Sequence, residues 1–379
     1  MSNADSRPSR ALQHRDLLRD LTAPGADITA ESEHASQRNS AWFDQDTGQP
    51  LAPRGAVHRD ILREFRAESP HVQEEYKAIL LAGPPGAGKT TAQSQLLAST
   101  GTAATDWRIL NADDFKDRLL KRAITDGSYA SHLTPAEVAK KEQAGEKVWP
   151  RERAALVHEE SSLLMKAARD QAIRKGENVI IDGTLSNADS GKKLVKRLEE
   201  QGYEVRIALV DGPRDVTEAR VAHRWTQGFE AAESGVDDPD DPDLLLLGGR
   251  WVPADVTDGL YRDGTDASVC TAAAYEIAES SDAVKQLDAY QVTKPSGQPE
   301  VVEQRIGKRE DGRWEKVWRV GAARDRHKSK RAEILDEASS SGGGSAPRCS
   351  VCGRPLRSAE SIARGAGPTC AGAHVPAPS

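Results

Sequence analysis

Ala78-Ile79-Leu80-Leu81-Ala82-Gly83-Pro84-Pro85-Gly86-Ala87-Gly88-Lys89-Thr90-Thr91 is an apolar run that breaks into G-x-x-x-x-G-K-T and continues as Ala92-Gln93-Ser94-Gln95-Leu96-Leu97. A buried strand that stops at glycines and restarts as a helix turns several backbone N–H groups inward, with the positive end of the helix dipole behind them. That geometry cradles a polyphosphate. Gly83, Pro84, Gly86, Ala87, Gly88, Lys89, Thr90 and Thr91 form the expected nucleotide loop, with Lys89 at the β/γ-phosphates and Thr90 offering a hydroxyl to Mg²⁺. The stretch predicts that the chain binds a nucleoside triphosphate.

The surrounding sequence fits a parallel sheet wrapped by helices, because from 76 to 295 short apolar runs alternate with helical stretches. Strands are expected at 78–82, 108–111, 178–182, 205–210 and 289–292, with helices at 114–123, 152–174 and 189–201. The implied organisation is a polar, helical N-terminal appendage at 1–75, a P-loop nucleotide-binding domain at 76–295 and a basic strand/helix extension at 296–337. A serine- and glycine-rich linker at 338–348 and a cysteine-bearing tail at 349–379 complete it. The stretch 235–243, with five aspartates and two prolines, reads as an exposed loop.

With 379 residues, 37% hydrophobic and 29% charged, the chain reads as soluble, and its apolar runs fall short of the ~18 residues of a membrane span. The first residues lack an apolar signal segment, which points to the cytoplasm. A net charge of −7 argues against a nucleic-acid binder as a whole. Residues 303–331 do hold eleven Lys/Arg against five Asp/Glu, a composition most simply read as a solvated face. Four cysteines, three of them after residue 348, do not describe a secreted disulfide framework. Cys270, in an alanine-rich helical stretch, reads as a small core residue.

Three further motifs lie where phosphoryl transfer would need them. Asn111-Ala112-Asp113-Asp114-Phe115-Lys116 puts a carboxylate at the carboxyl end of the second strand, facing the crevice where ligands bind and able to take a proton from a hydroxyl. Asp113 or Asp114 could equally cap the next helix. Asn178-Val179-Ile180-Ile181-Asp182-Gly183-Thr184 delivers Asp182 at the position of a carboxylate close to Mg²⁺. The Asp-Gly-Thr ending differs from the Asp-Glu of motor-type ATPases. Positive charge for the moving phosphoryl group could come from Arg220 and Arg224, four residues apart on one helical face, and from Arg250 in Gly248-Gly249-Arg250-Trp251-Val252-Pro253.

Together these motifs resemble the zeta toxin family, the UDP-N-acetylglucosamine kinases of toxin–antitoxin systems, over about 76–295. The resemblance implies a kinase using ATP and Mg²⁺, with Asp113 as the general base toward the 3′-hydroxyl of a nucleotide-sugar substrate and Arg224 and Arg250 on the ATP phosphates. Family members often carry Glu where this chain has Asp182. Between the second and third motifs, where the family holds an acidic and polar set, this chain shows His158-Glu159-Glu160-Ser161-Ser162, so the acceptor rests on resemblance alone. An antitoxin protein, or the N-terminal segment acting in cis, would be the inhibiting partner. Two other readings stay open: a P-loop kinase acting on another small molecule or a nucleic-acid end, and a regulatory ATP-binding protein with a partner module.

In the tail, Cys349-Ser350-Val351-Cys352 and Cys370-Ala371-Gly372-Ala373-His374 have the spacing of a tetrahedral zinc site. Cys349, Cys352, Cys370 and His374 are the expected ligands of one structural Zn²⁺.

Overall fold

The computed structural model describes residues 9–262, 265–308 and 313–319. The chain divides into two units, 1–318 and 319–379, and the elements below build the first. Its sheet has seven strands in the order β2-β3-β1-β4-β5-β6-β7: β1 Lys77–Ala82, β2 Arg108–Leu110, β3 Val179–Asp182, β4 Glu204–Asp211, β5 Val284–Gln291, β6 Glu300–Lys308 and β7 Trp314–Arg319. The first five run parallel, with Leu81 opposite both Asp182 of β3 and Ala208 of β4; β6 then turns back antiparallel against β5. The eight longer helices are α1 Arg10–Leu21, α2 Ala52–Ala67, α3 Lys89–Thr100, α4 Ala112–Asp126, α5 His158–Arg174, α6 Ala188–Glu200, α7 Arg214–Ser234 and α8 Val269–Glu279.

The central strands carry near-continuous apolar runs because both sheet faces are covered. Ile79, Leu81, Ile180, Ala208 and Val210 pack with Ala92, Leu96 and Leu97 of α3 on one face. Ala78, Leu80, Ile181, Ile207 and Leu209 join Leu119, Leu164, Val195 and Ile277 on the other. Residues of the segment read from sequence as an appendage, Leu18, Ile28 and Ile61, are buried in this second cluster. Cys270 is fully buried. Among the described residues no helix is long and apolar enough to cross a membrane.

Helix α2 is docked by charge. Arg54 reaches Glu160 of α5 through Nε at 2.6 Å and Nη2 at 2.8 Å, and His58 Nε2 adds a contact of 2.7 Å. Glu160 therefore points into a buried ion pair between α2 and α5. Burial alone would raise its carboxyl, but hydrogen bonds from His58 and Arg54 outweigh this and bring it down to about 2. The pair thus contributes stability that is present above the carboxyl's ordinary 4.5 and is lost as pH falls toward 2.

Removing one partner of such a pair strands a charge in the core. Arg54→Ala should lower unfolding free energy by about 3–5 kcal/mol in urea denaturation at neutral pH. Arg54→Ala/Glu160→Leu should recover much of that loss. Equal losses in both variants would show that packing and not the stranded charge sets the cost.

Candidate active site

The crevice lies at the carboxyl ends of the parallel strands, where the connection from β1 leaves to one side and that from β3 to the other. Its volume is about 1550 Å³. Gly88, in the left-handed region at φ 95°, starts α3, so the first N–H groups of that helix open toward the cleft. Lys89 folds its ammonium back over the loop, donating to the carbonyls of Gly83 at 3.0 Å and Pro84 at 3.4 Å, and lies 3.8 Å from Asp182 Oδ1. Thr90 is exposed at the mouth of the same loop. Ala87 is buried and anchors the loop in the α3 core, while Pro84 is buried and Thr91 half-buried.

Asp182 ends β3 beside this loop. Its Oδ1 is buried and makes no hydrogen bond among the described residues. Burial pushes its carboxyl up against the pull of the Lys89 ammonium. Two hard oxygen donors, Asp182 and the Thr90 hydroxyl, flank the loop, a set that suits Mg²⁺.

On the other wall, α4 is capped by Asn111, whose side chain accepts from Asp113 N at 2.9 Å. Both aspartates are thereby released from the capping role that either might have filled. Asp113, 41% exposed, receives Lys116 Nζ at 3.0 Å and has Arg250 Nη1 at 3.7 Å. Desolvation would raise it, but the charges of Lys116, Arg250 and Arg224 hold it well below the usual carboxylate range. Asp114 differs. Burial pushes it up to about 6, and the charges of Asp117 and Asp113 add to the rise while Arg250 opposes it.

Arg224 projects from α7 into the cleft, within electrostatic reach of Asp113, Asp182 and Arg250. Arg220, its neighbour one turn earlier, is occupied: it donates to Gly86 O at 2.6 Å and to the carbonyls of Pro295 and Gly297 at 3.0 and 2.7 Å. It ties the nucleotide loop to the β5–β6 connection. Arg250 lies between two short helices, Leu244–Leu247 and Ala254–Asp258, and donates to Asp117 Oδ2 at 2.6 Å. The acidic loop before it is tied down: Arg151 holds Asp241 and Asp117 together, and Lys121 reaches Asp243 at 2.8 Å. Lys89, Asp113, Asp182, Arg224 and Arg250 thus line one cleft.

Sequence reading did not single out Lys116, Asp117 or Arg151. It expected the N-terminal segment to act on the site in cis but singled out no residue of 22–32, of which Thr22, Pro24, Ile28, Thr29 and Glu31 line the same cleft. The Phe-Lys ending of the second motif was the available signal for Lys116; the Arg151–Asp117–Asp241 network joins residues too far apart in sequence to be paired by spacing. Cys349, Cys352, Cys370 and His374 lie outside the described residues. Among the described residues no group of three or more His, Cys, Asp or Glu could hold a metal ion.

Residues 62–289 match the family model described as Zeta toxin, and residues 340–375 match a family of unknown function, DUF6011. No curated protein matches the chain. Among solved structures, the chain is similar to that of the PezAT chromosomal toxin–antitoxin system of the human pathogen Streptococcus pneumoniae. The identity is 17%, over 62% of this chain and 76% of that chain, with a TM-score of 0.38. It is also similar to AvrRxo1-ORF1:-ORF2 with ATP, at 16% identity over 80% of this chain and 78% of that chain, with a TM-score of 0.45.

The split between the two neighbouring aspartates has a measurable consequence. Asp114 binds its proton more tightly folded than unfolded between 3.8 and about 6, so its contribution to stability declines as pH rises through that window. Asp114→Asn should therefore stabilise the protein by up to about 3 kcal/mol at pH 7 and by little at about pH 3.5, read from urea unfolding at both values. A gain of equal size at both would show that the Asp114 carboxyl is not raised.

Proposed function

The chain belongs to the zeta toxin family, and from that premise and the cleft geometry we propose that it is an ATP-dependent phosphotransferase acting on a hydroxyl of a nucleotide sugar. The acceptor that the family resemblance favours is the 3′-hydroxyl of UDP-N-acetylglucosamine. The observation that carries the reading is the meeting, across one cleft, of a lysine-bearing phosphate loop and a carboxylate, Asp113, held ionised opposite it.

In this reading the N–H groups of Gly86, Gly88, Lys89 and Thr90 and the Lys89 ammonium bind the β/γ-phosphates of ATP. Mg²⁺, held through Thr90 and Asp182, supplies charge neutralisation at the phosphate oxygens when bound. Arg224 and Arg250 spread further positive charge around the phosphoryl group, the region where charge shifts in a loose transition state. Arg250 would exchange Asp117 for the phosphates. The acceptor oxygen forms its bond to the γ-phosphorus as the bond to the β–γ bridging oxygen breaks. Asp113 accepts the acceptor's proton, and ADP leaves with the bridging oxygen. A carboxylate below the ordinary range suits this role when proton transfer is late: it is charged at every working pH and orients the hydroxyl by accepting its hydrogen bond.

Regulation by an antitoxin protein is proposed on family membership alone. For the tail, the spacing of Cys349, Cys352, Cys370 and His374 supports one structural Zn²⁺, whose binding would have to supply the folding energy of so short a segment.

The reading is tested by incubating the protein with ATP, Mg²⁺ and a panel of nucleotide sugars, nucleosides and oligonucleotides, following phosphate transfer by mass spectrometry. UDP-N-acetylglucosamine should gain one phosphate, and Lys89→Ala should abolish transfer in a folded protein. Asp113→Asn should lower kcat by about 10²–10⁴-fold while leaving ATP affinity close to wild type. Transfer to a different acceptor would keep the kinase and change its substrate; ATP turnover surviving in Lys89→Ala would remove this loop as the nucleotide site. Metal analysis should find one zinc per chain, lost in Cys352→Ser.

A further inference from the structure

Arg224 and Arg250 are each followed by a tryptophan, and both indoles are held through the N-terminal segment. Trp225 Nε1 donates to Glu152 Oε1 at 3.0 Å, and the other Glu152 oxygen accepts from Trp149 N at 2.8 Å and meets His14 Nε2 at 2.9 Å. The second ring nitrogen of His14 lies 2.5 Å from Glu146 Oε1. His14 and Glu152 are almost completely buried, and the imidazole stacks on Phe229 with centroids 4.6 Å apart. Trp251 Nε1 donates to Thr22 Oγ1 at 3.1 Å, and that hydroxyl in turn donates to Leu18 O at 2.7 Å at the end of α1. The two indoles meet edge to face, 5.3 Å apart at 76°.

We propose that α1 and the turn at Thr22 form a positioning clamp that sets the two arginines toward one point, with His14 and Thr22 as positioning residues acting through Trp225 and Trp251. The inference rests on the phosphotransfer reading of the same cleft. Arg224 rides on a long helix, α7, but Arg250 sits on irregular chain, and a guanidinium stabilises a transition state only if it is already aimed when charge develops. Anchoring Trp251 against both Thr22 and Trp225 ties the irregular segment to the helix.

The same contacts argue against a removable cover over the cleft. Leu18 and Ile28 are 0% and 1% exposed within the main core. Lifting the segment would expose both, and it would leave Glu152 a buried carboxylate without its imidazole partner. The wall that residues 22–32 give the cleft is therefore a permanent part of it.

Thr22→Val keeps the shape of the side chain and removes the acceptor for Trp251; Thr22→Ser restores it. Hydrogen exchange of the peptide spanning 248–253 should be faster in Thr22→Val and return to wild type in Thr22→Ser. In phosphate transfer, Thr22→Val should lower kcat by about 10–100-fold, with the KM for ATP within about twofold, and Thr22→Ser should recover it. Trp251→Phe, which keeps an aromatic ring but no donor, should behave like Thr22→Val and serves if the valine variant folds poorly. Unchanged exchange in both variants overturns the clamp. Faster exchange with unchanged kcat in an active enzyme overturns its role in transfer. If the wild type transfers phosphate to no acceptor, the kinase reading fails, and the exchange comparison alone decides whether the clamp holds the segment.

Discussion

Everything in the cleft depends on how closely the phosphate loop approaches the chain behind it. A side-chain carbon at Gly83 would lie 1.9 Å from the carbonyl oxygen of Val210 at the end of β4, and one at Gly86 would lie 2.3 Å from that of Thr217 in the first turns of α7. Both glycines have φ in the left-handed range, 137° and 81°. Neither position can carry a side chain without displacing backbone. Because the loop is pressed against α7, the helix that bears the arginines is fixed relative to the phosphates. Arg220 seals the contact by bonding Gly86 O, and Arg224, one turn later, is left facing the cleft.

Charge balance then decides which side chains are free to act. Arg151 is spoken for by Asp117 and Asp241, so it braces the wall. Arg250 shares Asp117 and lies near Asp113, two carboxylates that a tetra-anionic ligand could displace as partners. Lys116 is the closest cation to Asp113. Two adjacent aspartates end up with opposite character for a plain reason: Asp113 has three cations around it, whereas Asp114 is half-buried and desolvated beside Asp113 and Asp117.

The central strands and the phosphate loop were legible in the sequence because burial on both faces leaves an unbroken apolar run, as at 78–82 and 179–181, and because glycine spacing is a local signal. The last parallel strand was read too short. It begins at Val284, five residues before the expected 289, since Lys285, Gln286 and Asp288 break its pattern. Asp288 is tolerated in full burial only because Arg206 of the neighbouring strand meets it at 2.5 Å and two glutamines donate to it. Such compensation is set by sheet register and is invisible along one strand. The role of Glu160 is invisible locally for the same reason, its partner Arg54 lying on α2, 106 residues earlier. The cleft-lining stretch at 22–32 has no periodicity to read; its place follows from Thr22 and His14, which meet residues more than 130 positions away in Trp251 and Glu152.

Polar contacts, not apolar area, specify how the N-terminal segment meets the cleft. An indole packed only by apolar neighbours can tilt or slide with little change in buried surface, because dispersion and hydrophobic burial are non-directional. Hydrogen bonds from Trp225 to Glu152 and from Trp251 to Thr22 fix the rotation of each ring, and with it the backbone that carries the preceding arginine. The cost is a carboxylate in the core. It is offset by three donors, the backbone N–H of Trp149, the Trp225 indole and the His14 ring, so that no atom of the Glu152 carboxylate is left without a partner. A buried polar hub is a poor way to gain stability but an effective way to hold one geometry, and here the geometry held is that of the two guanidinium-bearing segments.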